Sequence, residues 1–149
     1  MERERRLLQR VIALGALIPI GAGLYGVLFG PGLTGDRMSV SGDSHYRYLS
    51  GLLLGIGLLF WSSVPAIEVK TGRVQLLTLI VVAGGLGRLA GLLLTGLPSL
   101  SMFGALAMEL CVTPAICLWQ LRVARAAALG AADDHPRRAA ADVPLDGSR

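Results

Sequence analysis

Four long apolar runs, each about the length of a membrane span, decide what this chain can fold into. The first, Val11 to Phe29, is nineteen residues without a charge. The second, Leu49 to Ile67, is uncharged as well. The third, Val74 to Leu97, is interrupted only by Arg88, and the fourth, Leu100 to Leu121, only by Glu109. About twenty apolar residues in a helix cross a hydrocarbon core about 30 Å thick, and a helix satisfies its own backbone there. Soluble domains carry about 25% charged residues and arrange their apolar ones periodically; this chain is 16% charged and 53% hydrophobic. The expected fold is an all-α, four-helix transmembrane bundle over residues 1–125, with spans near 11–29, 49–67, 74–97 and 100–121.

Between the runs the punctuation is clear. Pro31, Gly32, Gly35 and Gly42 mark residues 30–48 as a loop, with Asp43 or Ser44 as the N-cap of the second span. Thr71-Gly72 turns the chain before the third span, and Pro98-Ser99 make a minimal hairpin before the fourth, with Ser99 as its N-cap. Pro19 falls within the first span and is expected to kink it, which neighbouring helices tolerate. An Arg-rich leader ahead of an apolar run also resembles a signal peptide, but this run exceeds the usual apolar core and Gly21-Ala22-Gly23 is a poor cleavage site. It reads as a retained span. Residues 126–149 hold Ala, Asp, Arg and Pro with almost no large apolar side chains, which predicts a disordered tail, with the alanines able to extend the fourth helix by a turn or two before Gly130.

Orientation follows from the basic residues. Arg3, Arg5, Arg6, Arg10, Lys70, Arg73, Arg122, Arg125, Arg137, Arg138 and Arg149 share one side, eleven in all, against Arg37 and Arg47 on the other. The excess of Lys and Arg marks the cytoplasmic side, giving N-in, C-in. Tyr25, Phe29, Tyr46, Tyr48 and Phe103 fall near the outer interface, and Trp61 and Trp119 toward the inner one. The net charge of +4 is therefore orientation signal and headgroup attraction, without the basic, aromatic-interleaved face of a nucleic-acid binder. The lipid bilayer is the expected partner, with other membrane proteins or a lipid-like ligand behind it.

Little else suggests chemistry. Cys111 and Cys117 lie six residues apart on one helix, about 9 Å along its axis, too far for a disulfide within it. They read as small apolar packing residues, and no Cys-x-x-Cys pair is present. No catalytic, metal or cofactor motif emerges, so no cofactor is expected and enzymatic activity is not indicated. Gly51 with Gly55, and Gly87 with Gly91, are small-xxx-small pairs that predict close helix packing in a tight bundle.

Arg88 and Glu109 are the only ionisable residues deep within the runs. Measured from the hairpin at 98–99, each lies about 16 Å away along its helix, near mid-bilayer. Two helices joined so closely are antiparallel neighbours, so opposite charges at equal depth are expected to form a buried pair. An unpaired charge at a span centre costs about 2.5–3.5 kcal/mol on insertion scales, and pairing offsets much of it. Gly84, Arg88, Gly91 and Thr95 share a face, placing the guanidinium in a small-residue groove, and Thr113 is positioned to donate to the carboxylate. The pair either fixes helix register or forms a proton or substrate site; one pair alone is few for a transporter.

A second polar group opens the second span: Asp43, Ser44, His45, Tyr46, Arg47 and Tyr48. Asp43 and Arg47 are i, i+4 and can pair, with His45 beside them. The group is either an interfacial anchor or an outward polar pocket in which Arg47 reaches for an anion.

The stretch His45-Tyr46-Arg47-Tyr48-Leu49-Ser50-Gly51-Leu52-Leu53-Leu54-Gly55, the segment Gly84-Gly85-Leu86-Gly87-Arg88-Leu89, and Glu109 with Pro114 resemble an uncharacterised family of small four-span bacterial membrane proteins. That family is a domain of unknown function, distantly similar to the DoxX-like group. The resemblance covers roughly Leu8 to Arg122. It implies a four-helix fold in the bacterial inner membrane and supplies no substrate; the DoxX-like link hints at quinone or redox association by fold analogy alone. Three functions are carried forward: a non-enzymatic accessory or scaffold subunit, a quinone- or lipid-binding redox accessory, and a small-solute or proton permease.

Overall fold

The computed structural model describes residues 2–31, 39–96 and 100–141, with side chains throughout except at 95, 100, 101 and 133–141. Helix α1 covers Glu2–Phe29 and α2 covers Val40–Trp61; a 3-10 turn, Val64–Ala66, leads into α3, Thr71–Thr95. The fourth span is composite. It consists of α4, Leu100–Ala107, a π-helical segment, Met108–Val112, and α5, Thr113–Ala141. Four helices are long and apolar enough to cross a membrane: Glu2–Phe29, Val40–Ala66, Thr71–Leu94 and Met102–Ala132.

The helices overrun the apolar runs, because the flanking residues are themselves good helix formers. Glu, Arg, Leu and Gln fill the first turns of α1 and favour helix over coil. The Ala-rich sequence after Arg125 does the same for α5, which runs on to Ala141. Residues 142–149 lie outside the described residues, as do 32–38 of the first loop and the hairpin at 97–99 with its expected Ser99 cap.

The cap of α2 also differs from expectation. Ser39, extended at φ −62° and ψ 161°, accepts from the Gly42 amide at 3.2 Å and starts the helix ahead of Asp43 and Ser44. Asp43 then falls in the first turn, where a negative charge suits the helix dipole. Helix α1 runs unbroken through Pro19.

The chain forms two helical hairpins that share a core at one end only. Leu8 and Ile12 of α1, Ile67 after α2, Val74 of α3, and Cys117 and Val123 of α5 make that core, flanked by Phe60, Val64, Ile116 and Trp119. It lies toward the end of the bundle where both termini emerge. Elsewhere α1 packs on α2, α3 packs on the fourth span, and contacts between the hairpins are sparse. The bundle is therefore loose: 22% of the first span's apolar window is buried, and 6% of the fourth's. The tight packing expected from glycine content forms within the hairpins, between α1 and α2 above all, and not between the two hairpins. Lipid is as apolar as a leucine side chain, so no hydrophobic drive closes helices on one another.

The glycines that pack are also not the expected ones. A Cβ on Gly23 would lie 2.5 Å from the Leu54 nitrogen and 2.7 Å from the Ser50 carbonyl, and one on Gly26 would overlap the Ser50 side chain. On the other hairpin, a Cβ on Gly85 would lie 2.9 Å from Glu109 Cβ. At Gly55, Gly84, Gly87 and Gly91 it would meet nothing within 4 Å, and at Gly51 only Val27 at 3.9 Å. Counting small residues locates a glycine-rich helix without saying which of its faces meets a neighbour.

Candidate functional site

Helix α3 and the π segment bring Arg88 and Glu109 together side-on. Arg88 Nε donates to Glu109 Oε2 and Nη2 to Oε1, both at 3.0 Å, which is the two-pronged geometry that fits guanidinium to carboxylate. The third nitrogen, Nη1, points at the Met102 sulfur, 2.9 Å away. Gly85 lets the π segment close on α3 one turn before Arg88.

The π segment aims the carboxylate. Its signature is the Thr113 amide donating to the Met108 carbonyl five residues back, where an α-helix would use four. The wider turn rotates what precedes it relative to α5, and Glu109 lies inside it. The Thr113 hydroxyl is occupied by the same Met108 carbonyl at 2.8 Å and does not reach Glu109 as expected. Segments of this kind are rare and concentrate at functional positions.

The pair is formed but not buried. The Arg88 side chain is 34% exposed and that of Glu109 21%. This corrects the expectation of a sealed pair, for two reasons visible in the packing. The hairpins meet only toward the termini end, and the α3 face beside Arg88 carries Gly84 and Gly87, which have no side chain to cover it. What was read as a groove between helices is an open flank.

The second polar group divides. Arg47 pairs with Asp43 at 2.9 Å and sends Nη1 to the carbonyls of Val27 at 2.6 Å and Leu28 at 3.3 Å. It caps the last turn of α1, where carbonyls lack helical partners, so two of its guanidinium nitrogens are engaged inside the hairpin. Gly30, at φ +62°, turns the chain there; a Cβ on it would lie 2.6 Å from Arg47 Nη2 and 2.7 Å from Asp43 Oδ1. Tyr46 is half-buried beside Gly26, while His45 is exposed and stacks with Tyr48 at 6.4 Å.

Three polar ties escaped the sequence reading. Gln120, fully buried, donates through Nε2 to the Ile67 carbonyl at 2.7 Å and to Thr71 Oγ1 at 2.9 Å, joining α5 to the turn before α3. Gln9 donates to the Val64 carbonyl at 2.9 Å, and Arg5 lies 3.1 Å from Glu68. The signal for Gln120 was present: it is the one amide side chain in the fourth apolar run. Among the described residues there is no group of three His, Cys, Asp or Glu that could hold a metal ion. Cys111 is exposed, Cys117 is buried, and both are free thiols.

The model of one protein family, described as "Domain of unknown function (DUF4345)", matches residues 7–120. The match begins ahead of the first apolar run and reaches the end of the fourth, taking in the Asp43–Arg47 and Arg88–Glu109 pairs. No curated protein and no solved structure matches the chain.

Proposed function

The chain belongs to the DUF4345 family, and from its geometry we propose a non-enzymatic membrane accessory protein whose open Arg88–Glu109 pair docks a membrane-embedded partner. The observation that carries this reading is a two-pronged ion pair at mid-span with side chains left 34% and 21% exposed. Hydrocarbon tolerates such a flank poorly: pairing removes much of the cost of the charges, and whatever stays open faces a medium with no hydrogen bonds to offer. A transmembrane helix presenting a hydroxyl, amide or carboxylate at the same depth would complete the shell. The bare backbone at Gly84 and Gly87 lets such a helix approach closely. The placement that goes with this role is the bacterial inner membrane, as the family resemblance implies, with both termini cytoplasmic, an orientation supported by the eleven-to-two division of basic residues.

A second reading, a quinone- or lipid-like ligand, is favoured by the same flank being reachable from the bilayer, since the hairpins do not close over it. A permease is supported less well. A conduction path strings several polar groups across a bundle, and the apolar runs hold a single ion pair.

The test is photo-crosslinking in native membranes from a reactive side chain at Gly87, which has open space around it, with Leu52 on α2 as the control. A discrete protein adduct from Gly87 and none from Leu52 supports the docking reading. Adducts with lipid or quinone alone favour the second. Identical adducts from both positions contradict both.

A further inference from the structure

The first turns of α1 are divided between two faces. One is engaged in the fold: Leu8 is fully buried, Gln9 bonds the Val64 carbonyl, and Arg5 lies 3.1 Å from Glu68. On the opposite side, Arg3, Arg6, Leu7 and Arg10 line a shallow cavity of about 380 Å³, open to the surface of the helix. These positions are helical neighbours, so three guanidinium groups converge within about 10 Å of helix length. Counter-charge is scarce. Arg6 has only Glu2, at 3.8 Å and itself exposed, and among the described residues Arg3 and Arg10 have no carboxylate partner.

We infer that this cavity binds the phosphodiester of an anionic phospholipid, and the inference stands apart from the docking role of Arg88 and Glu109. Guanidinium groups match phosphate oxygens in charge and in two-pronged geometry. The level is right: Arg10 immediately precedes Val11, where the apolar run begins, so the cluster sits where lipid phosphates lie. A free phosphate shares the chemistry, but the surrounding surface favours a lipid. Leu7 is 51% exposed within the lining, and Leu14 and Ile18, 67% and 61% exposed, continue along the same face as a track for an acyl chain. A headgroup of net negative charge is preferred to a zwitterionic one, whose ammonium would face three arginines.

The experiment uses the full chain in a neutral detergent, with bound lipid read by native mass spectrometry and stability by thermal shift. The probes are phosphatidylglycerol, phosphatidylcholine and inorganic phosphate. The expected result is one retained phosphatidylglycerol and a raised Tm, with phosphatidylcholine bound much more weakly. All three arginines are exposed, so R3Q/R6Q/R10Q is expected to fold; near-surface charges of this kind together contribute about a hundredfold in affinity, and the retained lipid should be lost. R122Q/R125Q, the matched control on α5, should keep it. R3K/R6K/R10K should hold the lipid less tightly than wild type and more tightly than the glutamine variant. Equal retention by wild type and the glutamine triple, or no preference over phosphatidylcholine, would overturn the inference. A thermal shift with inorganic phosphate as large as with phosphatidylglycerol would assign the cavity to a soluble anion and overturn the lipid assignment.

Discussion

Arg88 and Glu109, twenty-one residues apart, meet through two contacts of 3.0 Å while keeping part of each side chain open to the flank of the bundle. The equal distance of the two residues from the hairpin made the meeting foreseeable. The openness was not, and the proposed docking role rests on it. A sealed pair would act as a register pin; on the proposed reading, an open one at that depth is a polar surface for a partner in the bilayer.

The pair's part in stability is read by a double-mutant cycle. Arg88→Leu and Glu109→Leu should each lower the Tm in detergent, because each strands the other charge. The cost should fall below the about 3–5 kcal/mol of a fully buried pair, since both side chains keep some exposure. The double variant should recover most of the loss. Strictly additive losses would mean the contact carries no coupling energy.

Two glycines of similar appearance should respond oppositely. Gly23→Ala drives a Cβ into the backbone of α2 and should destabilise the protein, because nothing there is a flexible side chain that can move aside. Gly87→Ala meets open space and should be neutral or stabilising by up to about 1 kcal/mol, the ordinary helix preference for alanine. Thermal unfolding of both variants in one detergent decides it.

At Gly30 two costs combine. An L-residue in the left-handed region costs about 1–2 kcal/mol, and here its Cβ would also press on Arg47 and Asp43. Gly30→Ala should therefore lower the Tm, and Arg47→Leu should do so as well by uncapping α1. The double variant should lose less than the sum, as both changes dismantle one cap. Full additivity would show that the cap and the turn act separately.

What the sequence disclosed and what it hid have physical reasons. Uncharged runs of about twenty residues leave few alternatives to a span, so the four helices were legible. Depth is arithmetic on a helix, so the meeting of Arg88 with Glu109 was legible too. Facing is harder. Gly23, Gly26 and Gly85 pack while Gly55, Gly84 and Gly87 do not, because a lipid-exposed face and a packed face of a membrane helix are both apolar and share one composition. The wide turn at 108–112 leaves no mark in residue type, so the local aim of Glu109 and the diversion of Thr113 to Met108 could not be read. Ser39 was passed over as a cap because Gly42 behind it looked like loop, yet a glycine in a first turn contributes its amide as well as any residue. Gln120 hides at the end of an apolar run, where an amide looks like the start of the interface and proves to be a core tie.

The central claim is that the open charge pair itself recruits the partner, and the most direct measurement is the yield of the Gly87 photo-adduct in the R88L/E109L background. That variant strands no charge, so its fold and Tm should stay close to wild type while the polar surface is gone. The account predicts that the adduct disappears at matched expression and matched Tm. An adduct of undiminished yield in that background would contradict it, leaving the pair no more than a brace between α3 and the fourth span.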